Sequence, residues 1–127
     1  MPKKPISIAS RKAKARVAQN WVAQKIADLT GYTCGKDELI CGRPMGQSGV
    51  DVQLIGEARE DAPWSIEVKN VEKVNLYDAI KQAKDNQMNG TDWLVILKKN
   101  KEDYIAVLDA EVFFDLLRLI PGRKKGR

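Results

Sequence analysis

The chain reads as an α/β protein with the element order α-β-β-β-α-β-β-α. Three observations predict this. Residues 49–70 hold two short runs that alternate apolar and polar side chains, the period of half-buried strands. Residues 9–30, 76–89 and 109–120 repeat their apolar positions at helical spacing instead. Residues 93–97, Trp-Leu-Val-Ile-Leu, form a continuous apolar run, the pattern of a buried central strand.

Taken in order, residues 1–8 are basic, contain Pro2 and Pro5, and read as a flexible arm. Helix one follows over 9–30, with Ala15, Ala18, Val22, Ile26 and Leu29 toward the core, widened by Val17 and Trp21. Gly31 stops it. Its first turns carry Arg11, Lys12, Lys14 and Arg16. Cations at a helix N-terminus oppose the macrodipole, so helix stability does not explain them, and contact with phosphate does. A short strand is expected at 38–41. A Gly-rich loop containing Arg43 then leads to Asp51 and lets a substrate approach closely.

In the first alternating run Val50, Val52 and Leu54 share a face, and Asp51 and Gln53 share the other. Residues 56–63 are charged and read as an exposed hairpin loop. In the second run Trp64, Ile66 and Val68 oppose Ser65, Glu67 and Lys69. Asn75 is the expected N-cap of helix two, which runs to about residue 89 on Leu76, Ile80 and Ala83, with Gln82 beside that stripe. Gly90 ends it. Residues 98–103 make a charged turn into the strand 104–108. Asp109 caps a last helix, whose core face is Val112, Phe113, Leu116, Leu117 and Ile120 and which stops at Pro121-Gly122. A basic tail, 121–127, closes the sequence.

The 127 residues suit one domain spanning 1–127. There is no histidine, which removes histidine-dependent nucleases, Ser-His-Asp and Cys-His triads and His-ligated zinc. Cys34 and Cys41 are too few for a zinc site and read as reduced thiols of a cytoplasmic protein; a disulfide between them is unforced. No apolar run reaches membrane-span length, so no membrane partner is expected. The net charge of +5 is unevenly spread. Residues 1–27 hold seven Lys/Arg and residues 118–127 hold five, both without an acid. Of the 22 basic residues, 10 are left between them with all 17 acidic ones. Basic ends around an acidic body fit a polyanion held by the ends, with Lys3, Lys4, Arg123, Lys124 and Lys125 joining the helix-one cations and Arg43.

If the two alternating strands pair antiparallel, Asp51 meets Glu67 and Lys69 on one sheet face. Two carboxylates with a backbone carbonyl, that of Val68, would hold a hard cation such as Mg²⁺ or Mn²⁺. The ammonium would orient or deprotonate a water and offset charge building on a phosphoryl group. Alternating Glu and Lys is also a common solvent-facing pair. The upstream Asp, the order of helices and the basic ends favour the site over the solvent face.

The pattern Gly49-Val50-Asp51 followed by Ile66-Glu67-Val68-Lys69, in an α-β-β-β-α-β frame, resembles the PD-(D/E)xK nuclease superfamily. Within it the chain is similar to small Holliday-junction-resolvase-like and phage-type endonucleases. The resemblance covers helix one through the 93–97 strand. It implies a restriction-endonuclease-like αβββαβ core with an added strand and C-terminal helix. It further implies Mg²⁺-dependent hydrolysis of branched or duplex DNA by a homodimer, encoded by a prokaryote or phage. Asp51 and Glu67 match the metal ligands, Lys69 the catalytic lysine, and Gln82 a supporting glutamine. Two departures stand out. Val50 occupies the proline position, and Gln19 lies nearer than any acid to where resolvase-type members place a helix-one Glu. That favours one metal over two. The other expectation is a nucleic-acid-binding protein that retains the fold without cutting.

Overall fold

The computed structural model describes residues 7–43 and 49–121. Lys3, Lys4, Arg123, Lys124 and Lys125 lie outside them, as do most of the arm, the tail and the loop between Arg43 and Gly49. The elements are α1 (Ile8–Thr30), β1 (Ile40–Gly42), β2 (Val52–Leu54), α2 (Glu57–Asp61), β3 (Trp64–Asn70), α3 (Leu76–Asp85), β4 (Asp92–Lys98), β5 (Ile105–Leu108) and α4 (Ala110–Arg118). The strands form one mixed five-stranded sheet in the order β1-β2-β3-β4-β5. All neighbours are antiparallel except β3 and β4, which run parallel. The crossover between those two is α3, as a parallel pair requires.

The two faces of β3 are both covered. Ile66 and Val68 join Val52, Leu54, Ile40 and Ile96 beneath α1, which contributes Ala18, Val22, Ala23 and Ala27. Small side chains let this helix lie close to the sheet. On the opposite face Val95, the neighbour of Glu67 across the parallel pair, packs against Ala79 and Ala83 of α3. A strand buried on both sides is where polar side chains need partners.

Ser7 caps α1, its hydroxyl accepting from the Ser10 N–H, and Gly31 ends it in the left-handed region at φ 83°. Asn75 and Asp109 cap α3 and α4 as their sequence positions predict. Four expectations are corrected. Residues 56–63 are not an open loop, because Ala58 is fully buried and α2 forms around it. Leu29 and Val17 are exposed, since the buried stripe of α1 follows its alanines instead. The helix expected to reach residue 89 ends at Asp85. There the Met88 N–H donates to Ser65 Oγ of β3 at 2.9 Å, and the Ser65 and Thr91 hydroxyls meet at 2.6 Å, drawing the chain onto the sheet. Finally, α4 buries none of its residues; Phe113, Leu116 and Ile120 are exposed rather than in a core.

Trp21 widens the α1 contact in another way, stacking on Tyr104 with ring centroids 3.7 Å apart. Cys34 and Cys41 are free thiols, and burial raises the Cys41 pKa above its ordinary value.

Candidate active site

The site is built where β2 peels away from β3. The register pairs Val52 with Ile66, yet the Asp51 N–H also reaches the Ile66 carbonyl, at 2.9 Å. Two successive residues thus address one residue of the neighbouring strand, the arrangement of a β-bulge. This shift removes the next backbone partner that Val68 would find in a regular ladder. Its N–H donates instead to Asp51 Oδ2 at 2.7 Å. The N–H and C=O of a strand residue leave on the same edge, so the Val68 carbonyl faces the same gap.

Asp51 and Glu67 are 4% and 5% exposed, too little for bulk water to solvate both charges. Each carries a cationic partner. Arg43 Nη2 lies 3.2 Å from Asp51 Oδ1, and Lys69 Nζ lies 3.3 Å from Glu67 Oε1. Glu67 Oε2 is buried and has no hydrogen-bond partner. Burial raises the Glu67 pKa above the usual carboxylate range, the adjoining Asp51 carboxylate raises it further, and Lys69 opposes both. Asp51, immediately before β2, and Glu67, on β3, therefore adjoin.

The sequence predicts Arg43 as a phosphate contact, and the structure gives it a second position, on Asp51. The hairpin register explains its second position. Gly42 pairs with Val52, so one step further Arg43 stands opposite Asp51, with its N–H on the Asp51 carbonyl at 2.9 Å. Reading this from sequence requires the register of β1, which three residues, Ile40–Gly42, specify poorly. Gly49, at φ 116°, turns its carbonyl to accept from Arg43 Nη1 at 2.9 Å.

An open groove of about 1150 Å³ lies between α1 and β1, lined by Lys12, Arg16, Gln19, Lys36, Asp37, Glu38 and Arg43 among others, with Arg43 the member of the cluster that reaches it. Gln19 borders β1 closely, since a Cβ on Gly42 would lie 3.4 Å from its Oε1. Asn70, one residue past Lys69, donates to the Lys14 carbonyl at 2.9 Å and fixes the basic turns of α1 beside the end of β3. Arg11 stands on those same turns. Gln82 is exposed on α3, with no hydrogen bond to Asp51, Glu67 or Lys69.

Comparison of the chain with protein-family models, curated proteins and solved structures returns no match. Among the described residues no helix is long and apolar enough to cross a membrane.

Proposed function

We propose that the chain is a divalent-metal-dependent DNA endonuclease with a restriction-endonuclease-like core, of the PD-(D/E)xK kind. One observation carries this: two buried carboxylates, one just before β2 and one on β3, adjoin, and one of their oxygens, Glu67 Oε2, is left without a partner. A buried acceptor with no donor is a defect unless something else satisfies it. Glu67 Oε2, the Asp51 carboxylate and the Val68 carbonyl are all hard oxygen donors. That donor set fits Mg²⁺ or Mn²⁺, which take few protein ligands and keep several waters. When bound, the cation supplies stabilisation of the negative charge that builds on the phosphoryl oxygens.

The chain's own residues do the rest. Asp51 is fixed by the Val68 N–H, so its carboxylate is preorganised. Lys69 Nζ, an ammonium paired with Glu67, would orient an attacking water through its N–H donors and offset charge on the five-coordinate phosphorus. The P–O bond to the leaving oxygen would break as that water's oxygen bonds to phosphorus, the water's proton passing to solvent and the leaving oxygen taking one from it. Lys12, Arg16, Lys36 and Arg43 outnumber Asp37 and Glu38 along the groove, leaving a net positive lining for the DNA backbone. A cytoplasmic homodimer acting on branched or duplex DNA suits this reading, because two copies present two sites for two strands.

A second reading has its own observations. Among the described residues no group of three or more Asp, Glu, Cys or His gathers. Gln19, not an acid, is the helix-one residue nearest the position where the resemblance expects a further ligand. With Arg43 and Lys69 in place the cluster is already neutral. These favour a nucleic-acid-binding protein that keeps the fold and does not cut. Incubating four-way, flap, single-stranded and linear DNA with protein and Mg²⁺ separates the two. The nuclease cuts at least one substrate and stops doing so as Glu67→Ala or Lys69→Ala. DNA bound with steep salt dependence but left intact would establish the binder.

A further inference from the structure

We propose that Arg43 is a tethered stand-in for the divalent cation, occupying one side of Asp51 until an ion displaces it and frees a phosphate-binding fork. This rests on the metal-site reading of Asp51 and Glu67 above.

The two oxygens of Asp51 have unequal partners. Oδ2 accepts from a backbone N–H inside the sheet, so giving up that bond would disturb β3. Oδ1 faces a side chain that keeps 31% of its surface in solvent. Only the Arg43 side can be surrendered cheaply. The backbone of Arg43 stays paired when its side chain leaves, because its N–H bonds the Asp51 carbonyl. The guanidinium is also parked, not merely nearby, with Nη1 on the Gly49 carbonyl.

Charge decides which partner moves. Arg43 and Lys69 balance Asp51 and Glu67 as they stand. Two further positive charges among these groups, in a site this dry, repel a guanidinium that is already in contact with the same carboxylate. Lys69 is bound to Glu67 rather than to Asp51, so Arg43 is the group displaced. Its planar fork matches phosphate as well as it matches carboxylate, and Arg43 already lines the groove between α1 and β1. Loading the site would therefore turn Arg43 from a partner of Asp51 into a contact for the DNA backbone.

The test is a Mn²⁺ titration of the purified full chain at pH 8 without DNA, following free Mn²⁺ by electron paramagnetic resonance. Wild type is compared with Arg43→Gln, Arg43→Lys and Lys12→Gln, and Arg43→Met replaces the glutamine variant if that one fails to fold. Arg43→Gln should bind Mn²⁺ about tenfold more tightly, as expected for removing a like charge in contact with the site. Arg43→Lys and Lys12→Gln should stay near wild type. Equal or weaker binding by Arg43→Gln, with wild type binding normally, overturns the role of Arg43 and leaves the metal site standing. Equal tightening in Lys12→Gln also overturns it, since the effect would then belong to the groove as a whole. If no variant binds Mn²⁺, the metal reading and this proposal fall together.

Discussion

Glu67 is held in a place that an ionised carboxylate disfavours. Its raised pKa means that, between its unfolded and folded values, the folded chain binds more protons than the unfolded one. In chelator, stability should therefore fall as pH rises from the ordinary Glu value of about 4.3 through the folded value, then level off. Glu67→Gln removes that loss, and its amide can donate to Asp51. At pH 8 in chelator it should be more stable than wild type, with a higher Tm, while losing cleavage. Thermal unfolding of both proteins across pH checks this, and a Glu67→Gln protein that melts lower at pH 8 would contradict it. The acidic pair was legible because alternation in 64–70 assigns Glu67 a face and the antiparallel partner supplies Asp51. The Arg43 contact was not, because it depends on one residue of register in a three-residue strand.

At the scale of elements, capping chemistry was readable in advance. Asn75, Asp109 and Gly31 act locally, each through one or two backbone groups, so short sequence windows hold the signal. Features that depend on distant partners were not readable. Ala58 anchors α2 by packing into a core made elsewhere, and nothing in the run Glu57-Ala58-Arg59-Glu60-Asp61 announces it. The early end of α3 comes from Ser65, which stands 23 residues from Met88. Ser65→Ala tests that account. It leaves a Met88 N–H without its acceptor in a part-buried position and should destabilise by about 1–3 kcal/mol. Chemical denaturation of Ser65→Ala measures it directly, and stability within 0.3 kcal/mol of wild type, about the scatter of surface substitutions, would rule out Ser65 as the anchor.

For the whole molecule, α4 sets the open question. It is strongly two-sided, yet Phe113, Phe114, Leu116, Leu119 and Ile120 are all exposed, and β5, which precedes it in the chain, is an edge strand with Ile105 exposed. Isolated apolar side chains are ordinary on a surface, but five on one nine-residue helix and its first following turn make a patch. A two-fold axis beside β5 would pair these faces and suit the proposed homodimer. Phe114→Glu with Leu119→Glu should then sediment as a monomer at concentrations where wild type is a dimer, with the fold retained. A wild-type chain that sediments as a monomer at those concentrations would remove this face from the account.

The central claim is that Asp51, Glu67 and the Val68 carbonyl share one divalent cation. Anomalous diffraction from crystals soaked in Mn²⁺ tests it most directly. The account predicts a peak within ligand distance of both carboxylates, about 2.0–2.3 Å from their oxygens, with Arg43 turned away from Asp51. Density for Mn²⁺ elsewhere on the protein, and none between these two acids, would contradict it.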